Sequence, residues 1–454
     1  MTMLRLDAAE EAVAHETLLS IMIASTVGAS IEWLDFFYYS FLAMTVFPAI
    51  FFPGMDPYAG VVAAFTANFV GFLARPLGGL LFGYFGDRVG RKSTLVSTLL
   101  LLGTTTMLMG VLPDYATWGI AAPILLALLR FLQGIGVGGE WGGSVLLTME
   151  FGSNRRRGFL TSWPQTGAFI GLGLSAASLL LFKNLYPGSA FQDVGWRMPF
   201  LLSTMLLLVG LYIRLRVPET PAFLRMKARQ QTTTPADHPW KCHWPSILLS
   251  ALVRSGEQAP FYIFTMFMLT YGGTFLHLNT ALLYACLILA AGMAFCLAPL
   301  YGTLSDRYGR RRLTIVGALL MGTFAFPYFF LLNTTNPWLV LLATVAALGG
   351  CHALLYGPQA ALIAERFPTR LRYTGATLSY QLASIIAGGP APLIATFLLN
   401  RSQPQAATAW VLVALYILAM TLISLLAALF LKEYAGKAAC EEPEEGMEQR
   451  ASHA

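Results

Sequence analysis

Apolar runs of membrane-crossing length recur along the chain and limit its fold more than any other feature. Thr94 to Leu112, Leu201 to Ile213 with its flanks, Leu313 to Leu332 and Val411 to Leu431 approach or exceed the roughly 20 apolar residues that cross a hydrocarbon core. Each reads as a spanning helix. A soluble chain of 454 residues would form two or three domains, but 56% hydrophobic and only 11% charged residues belong to a lipid-embedded protein. Apolar runs between turn and charge signals place twelve spans near 20–47, 58–82, 93–112, 119–148, 158–182, 197–216, 246–271, 279–302, 313–332, 337–362, 373–399 and 408–431. The expected fold class is an all-α membrane protein.

The first residues carry Asp7, Glu10, Glu11 and Glu16 against Arg5, the reverse of a basic signal-peptide start, so the first hydrophobic helix is expected to stay. With both termini in the cytosol, about 23 of the 29 Lys and Arg face the cytosol, about three face outward and about three lie within helices. The hydrophilic stretch from Pro218 to Pro245, with Arg225, Lys227 and Arg229, separates six spans from six. Five segments follow: a cytosolic start (1–18), a first six-helix half (19–217), a cytosolic linker (218–245), a second half (246–431) and an acidic cytosolic tail (432–454). The tail's Glu441, Glu442, Glu444, Glu445 and Glu448 solvate rather than pack. Five cysteines without a C-x-x-C pair predict neither disulfides nor a metal site.

A duplication appears when the short polar loops are superimposed. Gly83-Tyr84-Phe85-Gly86-Asp87-Arg88-Val89-Gly90-Arg91-Lys92 matches Gly302-Thr303-Leu304-Ser305-Asp306-Arg307-Tyr308-Gly309-Arg310-Arg311. A second match follows in the same order, Glu150 with Arg157 and Glu365 with Arg372, seven residues apart each time. This doubled pattern resembles the signature loops of the major facilitator superfamily over nearly the whole chain. The resemblance implies twelve helices in two pseudo-symmetric six-helix halves. It also implies a latch at the cytosolic face, making Gly83, Asp87, Arg88, Arg91, Asp306, Arg307, Glu150, Arg157, Glu365 and Arg372 gating candidates. Their basic residues also set topology.

A narrower likeness rests on Glu32-Trp33-Leu34-Asp35-Phe36-Phe37, Gly71-Phe72-Leu73-Ala74-Arg75-Pro76-Leu77-Gly78-Gly79 and Gly138-Gly139-Glu140-Trp141-Gly142-Gly143. These strings are similar to the metabolite:H+ symporter family. Its bacterial members carry shikimate, oxoglutarate, citrate and other carboxylates, or proline and betaine. The likeness implies a bacterial inner-membrane location, a functional monomer among lipids and a small anionic or zwitterionic substrate. The proton is the coupling ion, with no cofactor and no nucleic-acid partner.

A charge at bilayer depth costs roughly 2.5 to 3.5 kcal/mol on insertion scales, so it persists when paired, hydrated or used. Seven stand out: Glu32, Asp35, Arg75, Arg130, Glu140, Arg254 and Glu257. Four carboxylates against three arginines suit a site that sometimes holds one proton. Glu32 and Asp35 stand three apart on one helix. Asp35, halfway along its span, is the favoured proton carrier; Glu32 either shares that role or anchors Arg130. Arg130 to Gly134 resembles the superfamily's R-x-x-x-G element, in which the arginine tunes a carboxylate or clasps an anion. Glu140 reads as a gate or a packing pair, and Arg75 as a stem reaching the headgroups.

Arg254 and Glu257 lie one turn apart and form either a self-contained pair or a site where a substrate carboxylate competes for Arg254. Arg130 and Arg254 would then clamp an anion from opposite halves. Tyr38, Gln165, Tyr262, Tyr356, Gln359 and Gln381 are candidate cavity residues. Trp33, Tyr38, Tyr39 and Tyr262 offer a cage for a quaternary ammonium. His352, alone among apolar neighbours, reads as hydrogen-bonded packing, with titration near physiological pH as the other reading. The function expected is proton-coupled symport of a small carboxylated metabolite by alternating access. Two rivals stand beside it: a drug or metabolite antiporter, from Gly167, Gly171 and Gly173, and a nutrient sensor without transport. A membrane enzyme needs a metal or nucleophile constellation such as H-E-x-x-H, which the sequence lacks.

Overall fold

A computed structural model describes residues 2–216, 219, 243–368, 371–401 and 408–431, the side chains of 2–17, 57 and 58 excepted. Most of the expected linker, 220–242, and the tail, 432–454, lie outside the described residues. Eleven helices are long and apolar enough to span a bilayer. Six form the first half: α1 Leu18–Thr45, α2 Ala59–Arg88, α3 Arg91–Gly110, α4 Ala121–Phe151, α5 Arg157–Leu185 and α6 Met198–Arg216. The others are α8 Thr280–Tyr308, α9 Arg310–Asn333, α10 Pro337–Ala364, α11 Arg372–Arg401 and α12 Val411–Phe430. The twelfth, α7, begins as Trp244–Tyr262 and continues through π-helical turns at Ile263–Phe267 and Tyr271–Phe275. Arg254, Glu257 and Gln258 dilute its apolar character, which is why length and hydropathy alone pass it over.

Helices run past the apolar stretches at the end bearing the repeated motif. α2 continues to Arg88 and α8 to Tyr308, so most of each signature is the last two turns of a helix rather than a loop. The chain reverses at Gly90 and Gly309, whose φ angles of 129° and 95° are those a residue with a Cβ rarely adopts. Within the first half, α2 and α4 pack backbone to backbone. A Cβ on Gly134 would strike the Gly71 carbonyl, and one on Gly138 the Arg75 carbonyl. The halves meet along α2 with α11 and α5 with α8 and α10.

All four π-turns among the described residues fall in the second half, the other two at Ala346–His352 in α10 and Ser384–Gly388 in α11. Such turns frequently mark functional positions. Here they flank the charged segment of α7.

Candidate functional site

The repeated motifs form two crossed clasps at one end of the molecule. Asp87 of α2 accepts from the Thr374 hydroxyl at 2.7 Å and its amide at 3.3 Å, at the start of α11 in the other half. Asp306 of α8 accepts from the Gly158 and Phe159 amides at 2.7 and 2.9 Å, at the start of α5. Each aspartate faces the positive end of a helix belonging to the opposite half. Gly83 lets α2 approach, since its Cβ would meet Thr374 at 3.0 Å. Arg91 lies between Asp87 and Glu150 at 3.5 and 3.6 Å; Arg310 likewise joins Asp306 and Glu365.

The matched Glu and Arg positions do not close on themselves. Arg157 crosses to Glu365 of the other half at 3.6 Å, while the Arg372 Nε donates to the Phe367 carbonyl. Arg88 and Arg307 form no ion pair in the clasps among the described residues. Both are exposed and lie over Tyr84 and Tyr308 of their own helices, and Arg307 also lines a recess with Arg155, Arg156 and Phe159 of the first half. Arg310, the repeat equivalent of Arg91, is the member of the clasp that the sequence reading passed over.

In the first half a hydrogen-bond chain links the expected coupling residues. Asp35 accepts from Ser203 of α6 and from Thr106 of α3 at 2.6 Å. Gln133 Nε2 donates to Thr106 at 2.9 Å and its oxygen accepts from Arg130, which also donates to Asn68 at 2.7 Å. Arg130 lies 3.4 Å over the Tyr39 ring. Glu32 does not pair directly with Arg130; the two line a void of about 10 Å3, room for about one water, together with Asn68, Arg75 and Gln133. The shared face of Glu32 and Asp35 therefore divides, one towards α2 and α4, the other towards α3 and α6.

The reading of Arg75 is corrected, while Glu140 takes the packing-pair alternative. Arg75 does not reach the headgroups: it is buried, 4.1 Å over Phe72 and 5.1 Å over Phe36. Glu140 pairs with Arg214 of α6, whose Nη1 donates to it at 2.7 Å, and Thr98 and Ser144 donate to the same carboxylate. Arg214 was counted among cytosolic charges, yet it is 3% exposed. A Cβ at Gly28 would collide with its guanidinium, so that glycine makes its berth.

The second half holds the other cluster. Arg254 lies 3.1 Å over the Tyr380 ring and donates to Gln258 at 2.8 Å; its Nε stands 3.8 Å from Glu257. His352 Nε2 meets Glu257 Oε1 at 2.6 Å, which supplies the hydrogen-bond partner of the buried histidine. Arg254 Nε, Glu257 Oε2, His352 Nδ1 and Gln359 Oε1 are buried without a hydrogen-bond partner. The Tyr262 hydroxyl lies towards Arg75 and Gln258 without closing a bond.

A polar seam joins the halves between this cluster and the clasps. Trp141 stacks on Tyr380 at 3.8 Å and donates to Gln165 at 2.7 Å; Gln165 donates to the Tyr356 carbonyl at 3.2 Å. The Tyr356 and Tyr380 hydroxyls are 3.2 Å apart. Gln381 donates to the Val137 and Gly138 carbonyls. Tyr38 is elsewhere, bonded to Ser178 and packed on Phe200, so the expected ammonium cage does not assemble. Gly167 and Gly171 receive α1 at Ala29 and Trp33. The groove of about 850 Å3 along α2 and α11 is an exposed apolar surface lined by Leu77, Leu80 and Leu378, while a recess of about 220 Å3 opens opposite the clasps beside Leu42, Lys183 and Tyr284.

The model of the Major Facilitator Superfamily matches residues 36–389 and 295–451. The inner membrane metabolite transport protein YhjE of Escherichia coli K12 is 38% identical over 94% of this chain and 97% of its own. The shikimate transporter of the same organism is 36% identical over 90% and 94%. The E. coli proton:xylose symporter XylE, bound to 6-bromo-6-deoxy-D-glucose, superposes with a TM-score of 0.75 at 20% identity, covering 94% of this chain and 98% of that one. Family match, relatives along the full length and a fold whose two halves grip each other through one repeated motif agree: this chain belongs to the major facilitator superfamily, among its metabolite transporters.

Proposed function

We propose that the protein carries a small carboxylated metabolite inward together with a proton, by alternating access. The observation that carries this reading is the buried Arg254 with an unfilled Nε, beside a Glu257 oxygen with no donor. Such groups cost stability when left unmade. A visiting carboxylate fills Arg254 in a forked geometry that neither Lys nor an amide reproduces. Tyr262 of α7 and Tyr356 of α10 lie beside it, Gln165 of α5 bonds the Tyr356 carbonyl, and Gln359 of α10 keeps a buried oxygen without a donor. Arg130 takes the coupling role rather than the clamp, because its hydrogen bonds run to Gln133 and Asn68 and through them towards Asp35.

Asp35 is the proton carrier in this scheme, with Glu32 at the adjoining void. In this reading the end clasped by Asp87 and Asp306 faces the cytosol together with both termini, and the functional unit is a monomer. At ~100 mV, one net positive charge moving inward supplies about 2.3 kcal/mol, roughly 50-fold accumulation of a zwitterion. A monoanion with one proton moves electroneutrally and draws on the pH gradient alone.

The test is uptake by purified protein in proteoliposomes, comparing shikimate, oxoglutarate, citrate, proline and betaine with the interior alkaline. Accumulation of a carboxylate that collapses when the pH gradient is dissipated supports symport. Accumulation that needs a proton gradient of opposite sense assigns antiport, and binding without flux assigns a sensor.

A further inference from the structure

We propose that His352 is a proton-bearing positioning residue of the second half, competing with Arg254 for the Glu257 carboxylate. The inference deepens the transport reading above and rests on it for its role in the cycle. The geometry stands by itself. Glu257 presents one oxygen to each cationic partner: Oε1 to His352 at 2.6 Å and Oε2 to Arg254 at 3.8 Å. The second distance is a loose ion pair, the first a full hydrogen bond.

The imidazole is fully buried and fixed on three sides. It stacks on Phe261 at 4.5 Å and Tyr356 at 5.1 Å, and meets the Phe169 edge at 5.6 Å. It ends the π-turn Ala346–His352, whose wider coil displaces the ring from regular helical register. Its charged and titratable surroundings are Glu257 and Arg254 from α7, Tyr356 in α10 and Tyr380 from α11. α5 offers the Phe169 ring, and α8 sets Met293 against the same turn at Gly349. Its Nδ1 has no partner among the described residues. Packing alone needs neither the carboxylate nor that free nitrogen.

The exchange balances without another reactant. With the site empty, Arg254 and Glu257 offset each other and His352 is a neutral donor through Nε2. When a substrate carboxylate takes Arg254, Glu257 loses its cation. One proton added at Nδ1 makes the ring an imidazolium, and the Glu257 charge is offset again. When the substrate leaves, Arg254 returns and the proton departs from Nδ1 to water, a proton counted in addition to the one on Asp35. His352 thus keeps a buried carboxylate from being stranded without a cation.

The test reads the ring directly, with no need for a known substrate. In nanodisc-embedded protein labelled with 15N-histidine, the His352 signals are identified by their loss in H352Q; only six histidines are present. Expected is a titration of His352 between about pH 4 and 9 whose midpoint moves by about half a unit or more in E257Q and in R254Q. A midpoint unmoved in both, or no titration in that range, overturns the proposal. Should R254Q not fold, the isosteric E257Q carries the test alone. In proteoliposomes, H352Q is expected to flatten the pH dependence of KM for the carboxylate that the wild type takes up, with kcat at the optimum within about three-fold. A wild-type profile for H352Q in that assay overturns the role in transport. Absence of proton-driven uptake in the wild type refutes the symport reading and leaves the titration result standing.

Discussion

Arg214 and Arg254 are both buried guanidinium groups, yet the chain treats them oppositely. Arg214 is gripped by both oxygens of Glu140, whose remaining capacity is met by Thr98 and Ser144. Nothing there is left to accept a ligand. Arg214→Ala is expected to cost about 3–5 kcal/mol by stranding Glu140, seen as a lowered Tm in detergent, with part regained when Glu140→Leu is added. Unchanged Tm in the single variant would remove the pair from the framework. Arg254, by contrast, keeps an unfilled nitrogen, and Arg254→Lys is expected to raise KM for a carboxylate substrate about ten-fold or more. Asp35→Asn is expected to abolish accumulation driven by a pH gradient while retaining substrate counterflow; loss of counterflow with coupling intact would place Asp35 at the ligand. Asp35, Arg130, Arg254 and Glu257 were legible because charge in an apolar run is conspicuous. Glu140's partner was not: Arg214 is 74 residues away and, at the end of a span, looks like one more topological cation. The partner of His352 was not legible for the same reason, being a carboxylate 95 residues distant.

Helices were legible from apolar runs, and their extension through the signature motifs was not, because Asp87, Arg88, Asp306 and Arg307 read as loop residues until their partners are known. Nor does any periodicity announce the π-turns, which add a residue to a turn without changing its composition. The glycines of α2 and α4 were quoted as strings, but their work is steric. Gly134→Leu sets a side chain against the Gly71 carbonyl and is expected to destabilise the first half by about 1–3 kcal/mol or more, reducing the monodisperse fraction on size exclusion. Recovery of a fully stable protein would show that α2 and α4 can part freely.

At the scale of the molecule, duplication made the two-half architecture readable from the amino acids, whereas the position of the halves was not. That position follows from contacts such as Arg157 with Glu365 and Asp306 with the start of α5, which exist only while one end is closed. Replacing both Asp87 and Asp306 by Asn is expected to open that end. Spin-label distances across α2 and α11 should lengthen and broaden at the clasp end and shorten at the other; an unaltered distribution would leave the aspartates with a packing role only.

Trp141, from one half, covers one face of the Tyr380 ring, and Arg254 lies on the other face. Parting the halves at the clasped end strips the indole away and lets water onto that ring. The guanidinium then loses a dry neighbour at the moment an exit appears. Under the symport proposed above, grip and escape would become a single motion, with cargo held hardest while there is nowhere for it to go and most weakly once the door stands ajar.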